Sequence, residues 1–169
     1  MSEPWMEVTK DFTKDFQQVI SRFKNDDVLI GIPMSDEPRE DGDPITNAAI
    51  LAINHFGSDD GKIPPRDVLG TGIKNAQEAI GAEMKKGAQQ ALKLGMSAVP
   101  IMFERVGTIA ANSCKQVINN QDGLAPPSEA TLKARKYITA SGFKGTKSLL
   151  VTGQTRNAIT YVVQTKWGA

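Results

Sequence analysis

A chain of 169 residues, 40% of them hydrophobic, is long enough to bury a core without disulfides or metals, and one domain over residues 1–169 is the expectation. Its 20 Lys and Arg against 19 Asp and Glu leave a net charge of +1, which excludes a global electrostatic drive toward nucleic acid or an anionic membrane. A single cysteine and a single histidine exclude an internal disulfide, a Cys-rich zinc site and any catalytic unit that needs two imidazoles.

The N-terminal stretch Met1 to Lys14 is mixed in charge, and no segment approaches the ~18 apolar residues of a membrane span, so neither secretion nor insertion is expected. Phe12, Phe16, Val19, Ile20 and Phe23 share one helical face, which predicts an amphipathic helix from about Glu7 to Lys24. The β-branched run Asp27 to Pro33 predicts a strand closed by proline. Residues 34–43 are acidic and carry Pro38 and Gly42, the composition of a mobile surface loop. Asp43-Pro44 and Gly57 bracket a predicted helix with Ile45, Ala49, Ile53 and Phe56 on one side. From Ser58 to Gly72, the Asp59-Asp60-Gly61 turn and Ile63-Pro64-Pro65-Arg66 predict an extended, stiffened loop.

Two long helices follow, about Ile73 to Leu94 and, after Gly95 with Ser97 as cap, one bearing Met102, Val106, Ile109, Ala110, Ser113 and Val117 on one face. They are expected to form an antiparallel hairpin. Pro126-Pro127-Ser128 opens a short basic helix to about Lys136, and residues 139–147 read as loop. Leu149 to Val151 and the alternating Ile159, Tyr161, Val163 and Thr165 predict two closing strands around Thr152 to Arg156. The expected class is α+β, a small antiparallel sheet packed on several helices. Ile53, Phe56, Ile80, Val106, Ile109 and Val117 are the expected core.

Chemistry-bearing patterns are sparse. His55 sits at a helix end beside Phe56-Gly57, where the helix dipole suits it, and a small hydrolase using it with Asp59 or Asp60 is the enzymatic alternative. Asp59-Asp60-Gly61 lacks calcium-loop spacing, and Gly70-Thr71-Gly72 lacks the phosphate-cradle patterns. Cys114 lies in a helical apolar pattern and reads as a small buried hydrophobe. Lys133, Arg135 and Lys136 with Tyr137, Lys144 and Lys147 read as a solvated face, with a nucleic-acid-binding module as the alternative.

Three segments, in order, resemble the tail-completion (virion morphogenesis) family of tailed, Mu-like bacteriophages. They are Asn47 to Gly57 followed by Asp60-Gly-Lys-Ile-Pro-Pro-Arg-Asp-Val-Leu69; Pro127 to Lys136; and Leu149 to Tyr161 with its Thr152-Gly153. The chain has Arg66-Asp67-Val68-Leu69 where the family commonly has Arg-Pro-Phe-Leu, and Val151-Thr152-Gly153-Gln154-Thr155 where it often has Asp-Thr-Gly-x-Leu. The resemblance implies a non-enzymatic virion protein of the neck, assembled in the host cytoplasm and needing no cofactor. It implies a homo-oligomeric ring, expected to be hexameric, that binds the tail tube protein and head–tail connector proteins, with DNA only as passing cargo. Ring interfaces use extended loops and open strand edges. The candidate assembly residues are therefore Phe56, Ile63, Pro64, Pro65, Arg66, Val68 and Leu69 in the first segment, and Thr152, Gly153, Arg156 and Asn157 in the last. A loop that folds back on its own core is the competing reading of 58–72.

Overall fold

In the computed structural model, which describes residues 13–33, 44–138 and 145–166, the 23-residue helix α5 (Ala98–Asn120) is the spine on which the other elements pack. It spans about 35 Å at the usual helical rise. Val99, Met102, Phe103, Val106, Ala110, Cys114, Val117 and Ile118 are all buried, at the spacing that makes a wide apolar stripe. The stripe serves two core clusters. Around its N-terminal half gather Val19 from helix α1 (Thr13–Asn25), Ala91 from helix α4 (Gln77–Leu94), and Val28 and Val163. Its C-terminal half holds Leu51 from helix α2 (Asn47–Phe56), Val68 from helix α3 (Val68–Asn75), and Ile159.

Helices α4 and α5 form the expected hairpin, turning at Gly95, whose φ of +85° suits only a residue without a Cβ. Their antiparallel course is fixed by Gly87 against Met102 and by the 3.1 Å pair of Glu83 and Arg105. Strand β1 (Asp26–Gly31) pairs antiparallel with strand β2 (Thr160–Thr165), Asp26 opposite Thr165 and Gly31 opposite Thr160. One face of this ribbon lies on α5, where the Tyr161 ring occupies the space a side chain at position 107 would need, and its hydroxyl donates to Glu104 Oε2 at 2.5 Å. The α+β class is as expected, but the sheet has two strands among the described residues.

Several expectations are corrected. The cap of α2 is Thr46, whose hydroxyl accepts from the Ala49 N–H at 3.2 Å, three residues after the expected cap Asp43. The predicted loop ends at Asp67, whose carboxylate accepts from the Gly70 N–H at 2.7 Å and starts α3, and the chain breaks at Ala76 before α4 begins. Leu149 to Val151 is not a strand: Leu149 has φ +56°, incompatible with extended pairing. The residues that follow form helix α7 (Gln154–Ala158). Of the expected core, Val106 and Val117 are buried and Ile80 and Ile109 half-buried. Ile53 is 38% exposed and Phe56 78%, because α2 turns Leu51 inward instead. The expected loop 34–43, Phe12 and Lys144 lie outside the described residues.

Candidate functional site

Two of the segments singled out in the sequence meet in space. Ile63 and Arg66 from the loop after α2 face Thr152 and Gly153 across a cleft of about 280 Å³. Ile50 and Asn54 of α2, and Thr131 and Arg135 of helix α6 (Glu129–Ile138), complete its walls.

The loop reaches the cleft by folding back on its own helix. Gly57, at φ +80°, lies so close to Ile63 O that an added Cβ would come within 2.8 Å of it. The Ser58 N–H donates to Ile63 O at 2.9 Å, and the Ser58 hydroxyl donates to Asp60 Oδ1 at 2.6 Å. Lys62 and Ser58 donate to Asp60 and hold its carboxyl below the usual range. The Arg66 N–H then donates to Asn54 O at 2.6 Å, which turns the arginine inward.

Arg66 is only 6% exposed. Its guanidinium donates to Ala125 O at 2.7 Å, Pro126 O at 3.0 Å and Asn54 Oδ1 at 2.9 Å, sewing α2 to the segment that enters α6. Arg135, 8% exposed, donates to Gly145 O at 3.2 Å and Lys147 O at 2.8 Å, holding the chain that returns from α6. Ser148 locks the same return through its hydroxyl to Ala125 O at 2.7 Å and its N–H to Gln121 Oε1 at 2.6 Å. Burial first, and then the neighbouring Arg135, push the Arg66 guanidinium below its ordinary value; burial does the same to Arg135.

The remaining candidates divide. Val68 is fully buried and Leu69 partly so, both packed on the α5 core, so neither stands at the surface of the single chain; the cap at Asp67 rolls them inward. Arg66 is likewise a buried clamp rather than a protruding side chain. Pro65 and Phe56 are exposed and Pro64 half-buried. Arg156 donates to Asn119 Oδ1 at 2.8 Å and to its neighbour Asn157, tying α7 to the end of α5.

His55 does not line the cleft. Its Nδ1 lies 3.4 Å from Asp67 Oδ1, an oxygen already engaged in capping α3, and its ring meets Phe56 edge-on at 4.6 Å. Gly70 and Gly72 fall inside α3, where Gly72 is a packing contact: a Cβ there would come within 2.6 Å of Cys114 Cα. Cys114 is buried, and burial, with the Asp67 carboxylate second, pushes its thiol up to about 11. Of the basic run, Arg135 points into the fold and Lys147 Nζ donates to Asn119 O, while Lys133 is exposed. Among the described residues no group of three or more His, Cys, Asp and Glu could hold a metal, and no helix is long and apolar enough to cross a membrane. Arg135 as a cleft residue was not legible in the sequence, because a basic run on a short helix carries no mark of which member turns inward. The chain matches no protein-family model, no curated protein and no solved structure.

Proposed function

We propose that this chain is a structural subunit of a tailed-phage neck, forming a homo-oligomeric ring that completes the tail and joins it to the head connector while leaving a lumen for DNA. The observation that carries this reading is the β1–β2 ribbon. Among the described residues neither strand has a second neighbour, so both outer edges keep unpaired backbone groups. On its outer face Leu29, 50% exposed, stands opposite Val162, 46% exposed. A two-stranded ribbon with free edges and an apolar outer face is an invitation to pairing unless a neighbour covers it. Head-to-tail contact between identical subunits supplies such a neighbour and makes a ring where the rotation between subunits closes. Exposed Phe56 and Pro65, beside the folded loop, supply a second apolar surface of the kind a heterologous interface needs. The resemblance of the three segments to tail-completion proteins supports the same reading.

The test is negative-stain imaging of the purified protein mixed with tail tubes that lack a neck, for the native chain and for the double variant Leu29→Lys, Val162→Lys. The native chain is expected at one end of each tube as a ring and the variant absent from tubes. Native protein that ignores the tubes, or coats their sides, would overturn the assignment.

A further inference from the structure

Among the described residues, the cleft between the loop after α2 and helix α6 carries two buried cations and no anion. Arg66 and Arg135 both line it, both are more than nine-tenths buried, and among the described residues neither forms an ion pair with a carboxylate. All of their recorded partners are neutral carbonyls and one amide oxygen. Taking a charge out of water is costly unless it is paired, and the guanidinium, permanently charged, cannot escape by losing its proton. Two polar groups are moreover buried without a hydrogen-bond partner here: Arg135 Nε, a donor, and Gln154 Oε1, an acceptor at the same cleft.

We propose that this cleft is a binding site for an acidic segment of a partner polypeptide, whose carboxylate neutralises Arg66 and Arg135 while a peptide N–H donates to Gln154 Oε1. A carboxylate presents two oxygens in the plane a guanidinium fork matches. Drug-sized ligands occupy pockets of ~300–1,000 Å³. The cleft, at about 280 Å³, lies at the small end of that range and has room for acidic side chains. Its walls include Ile50, Ile63, Leu149 and Val151, which suit the aliphatic stem of a glutamate. A phosphodiester backbone would satisfy the guanidiniums but carries no N–H of its own for Gln154, whereas a peptide backbone does. The site does not depend on ring formation, since every residue named belongs to one chain.

The test is fluorescence anisotropy with fluorescein-labelled hexaglutamate, against hexaglutamine and hexathymidylate carrying the same label, near physiological salt. Hexaglutamate should bind saturably and raise the melting temperature, and the two controls should not. Arg135→Gln should weaken hexaglutamate at least tenfold. Because that change also frees the Gly145 and Lys147 carbonyls, the exposed cleft-mouth variant Thr152→Glu provides the second reading: native melting, with binding weakened at least tenfold by the installed carboxylate. Native-like binding by a folded Thr152→Glu, no binding by the wild type, or saturable binding of hexathymidylate in its place would overturn the proposal.

Discussion

Arg66 is a buried clamp in a loop whose sequence reads as extended. Adjacent Pro64 and Pro65 and a charged fork in a stiffened loop suggested a docking group; the Asn54 carbonyl captures the Arg66 N–H and turns the guanidinium under the chain. Arg66→Met should therefore destabilise the fold by about 2–3 kcal/mol, read as a lower urea midpoint, because Ala125 O, Pro126 O and Asn54 Oδ1 lose a charged donor. Arg66→Lys should recover little, since one ammonium cannot span the same fork. Cys114, by contrast, was legible from its place in an apolar helical stripe. Its thiol should resist a disulfide reagent at neutral pH in the folded protein and react freely in urea. Its pH effect has a definite sign. The unfolded thiol ionises near its ordinary 9.0 while the folded one holds its proton to about 11, so the contribution to stability is intact below 9.0 and lost as pH rises through that window. Comparison with Cys114→Ala, in which this part of the alkaline loss should vanish, isolates it.

At the scale of elements, the 3.6-residue periodicity was enough for α1, α4, α5 and the hairpin: α4 and α5 bury a continuous stripe, while α1 buries Val19 and packs Phe23 but leaves Phe16 48% and Ile20 38% exposed. Alternation was enough for β2. Helix α3 was hidden by Gly70 and Gly72, residues that read as loop signals. Gly72 is there for proximity: α3 crosses α5 so closely that a methyl group would strike Cys114 backbone. Alanine normally gains about 0.5–1 kcal/mol over glycine inside a helix. Gly81→Ala in α4, with open space around it, should show that gain in thermal unfolding. Gly72→Ala should lose about 1–3 kcal/mol instead, overpacking outweighing propensity. Leu149 to Val151 failed in the other direction. Three apolar residues in a row suggest a strand, yet Leu149 takes a left-handed turn so that Ser148 can bind Gln121 and Ala125. Tertiary hydrogen bonds, invisible to local pattern, decided that conformation. The cleft has the same origin: its two arginines are distant in sequence and are brought together only by the return of the chain around α6.

Among the described residues, α5 is covered by helices on one side and by a narrow ribbon on another, and the ribbon is the least completed part of the fold. Its outer pair Leu29 and Val162 can be changed to lysine without disturbing Val28, Val163 or Tyr161, which face the core. The double variant should therefore melt like the native chain while failing to assemble, a separation that a folding defect would not produce. The most direct test is the solution mass of the native chain and of this variant by light scattering across a range of concentrations. A closed multiple of the 18.3 kDa subunit for the native chain, reduced to one subunit in the variant, is the predicted result. A native chain that stays at 18.3 kDa at every concentration, and that adds no subunits when tail tubes are present, would contradict it.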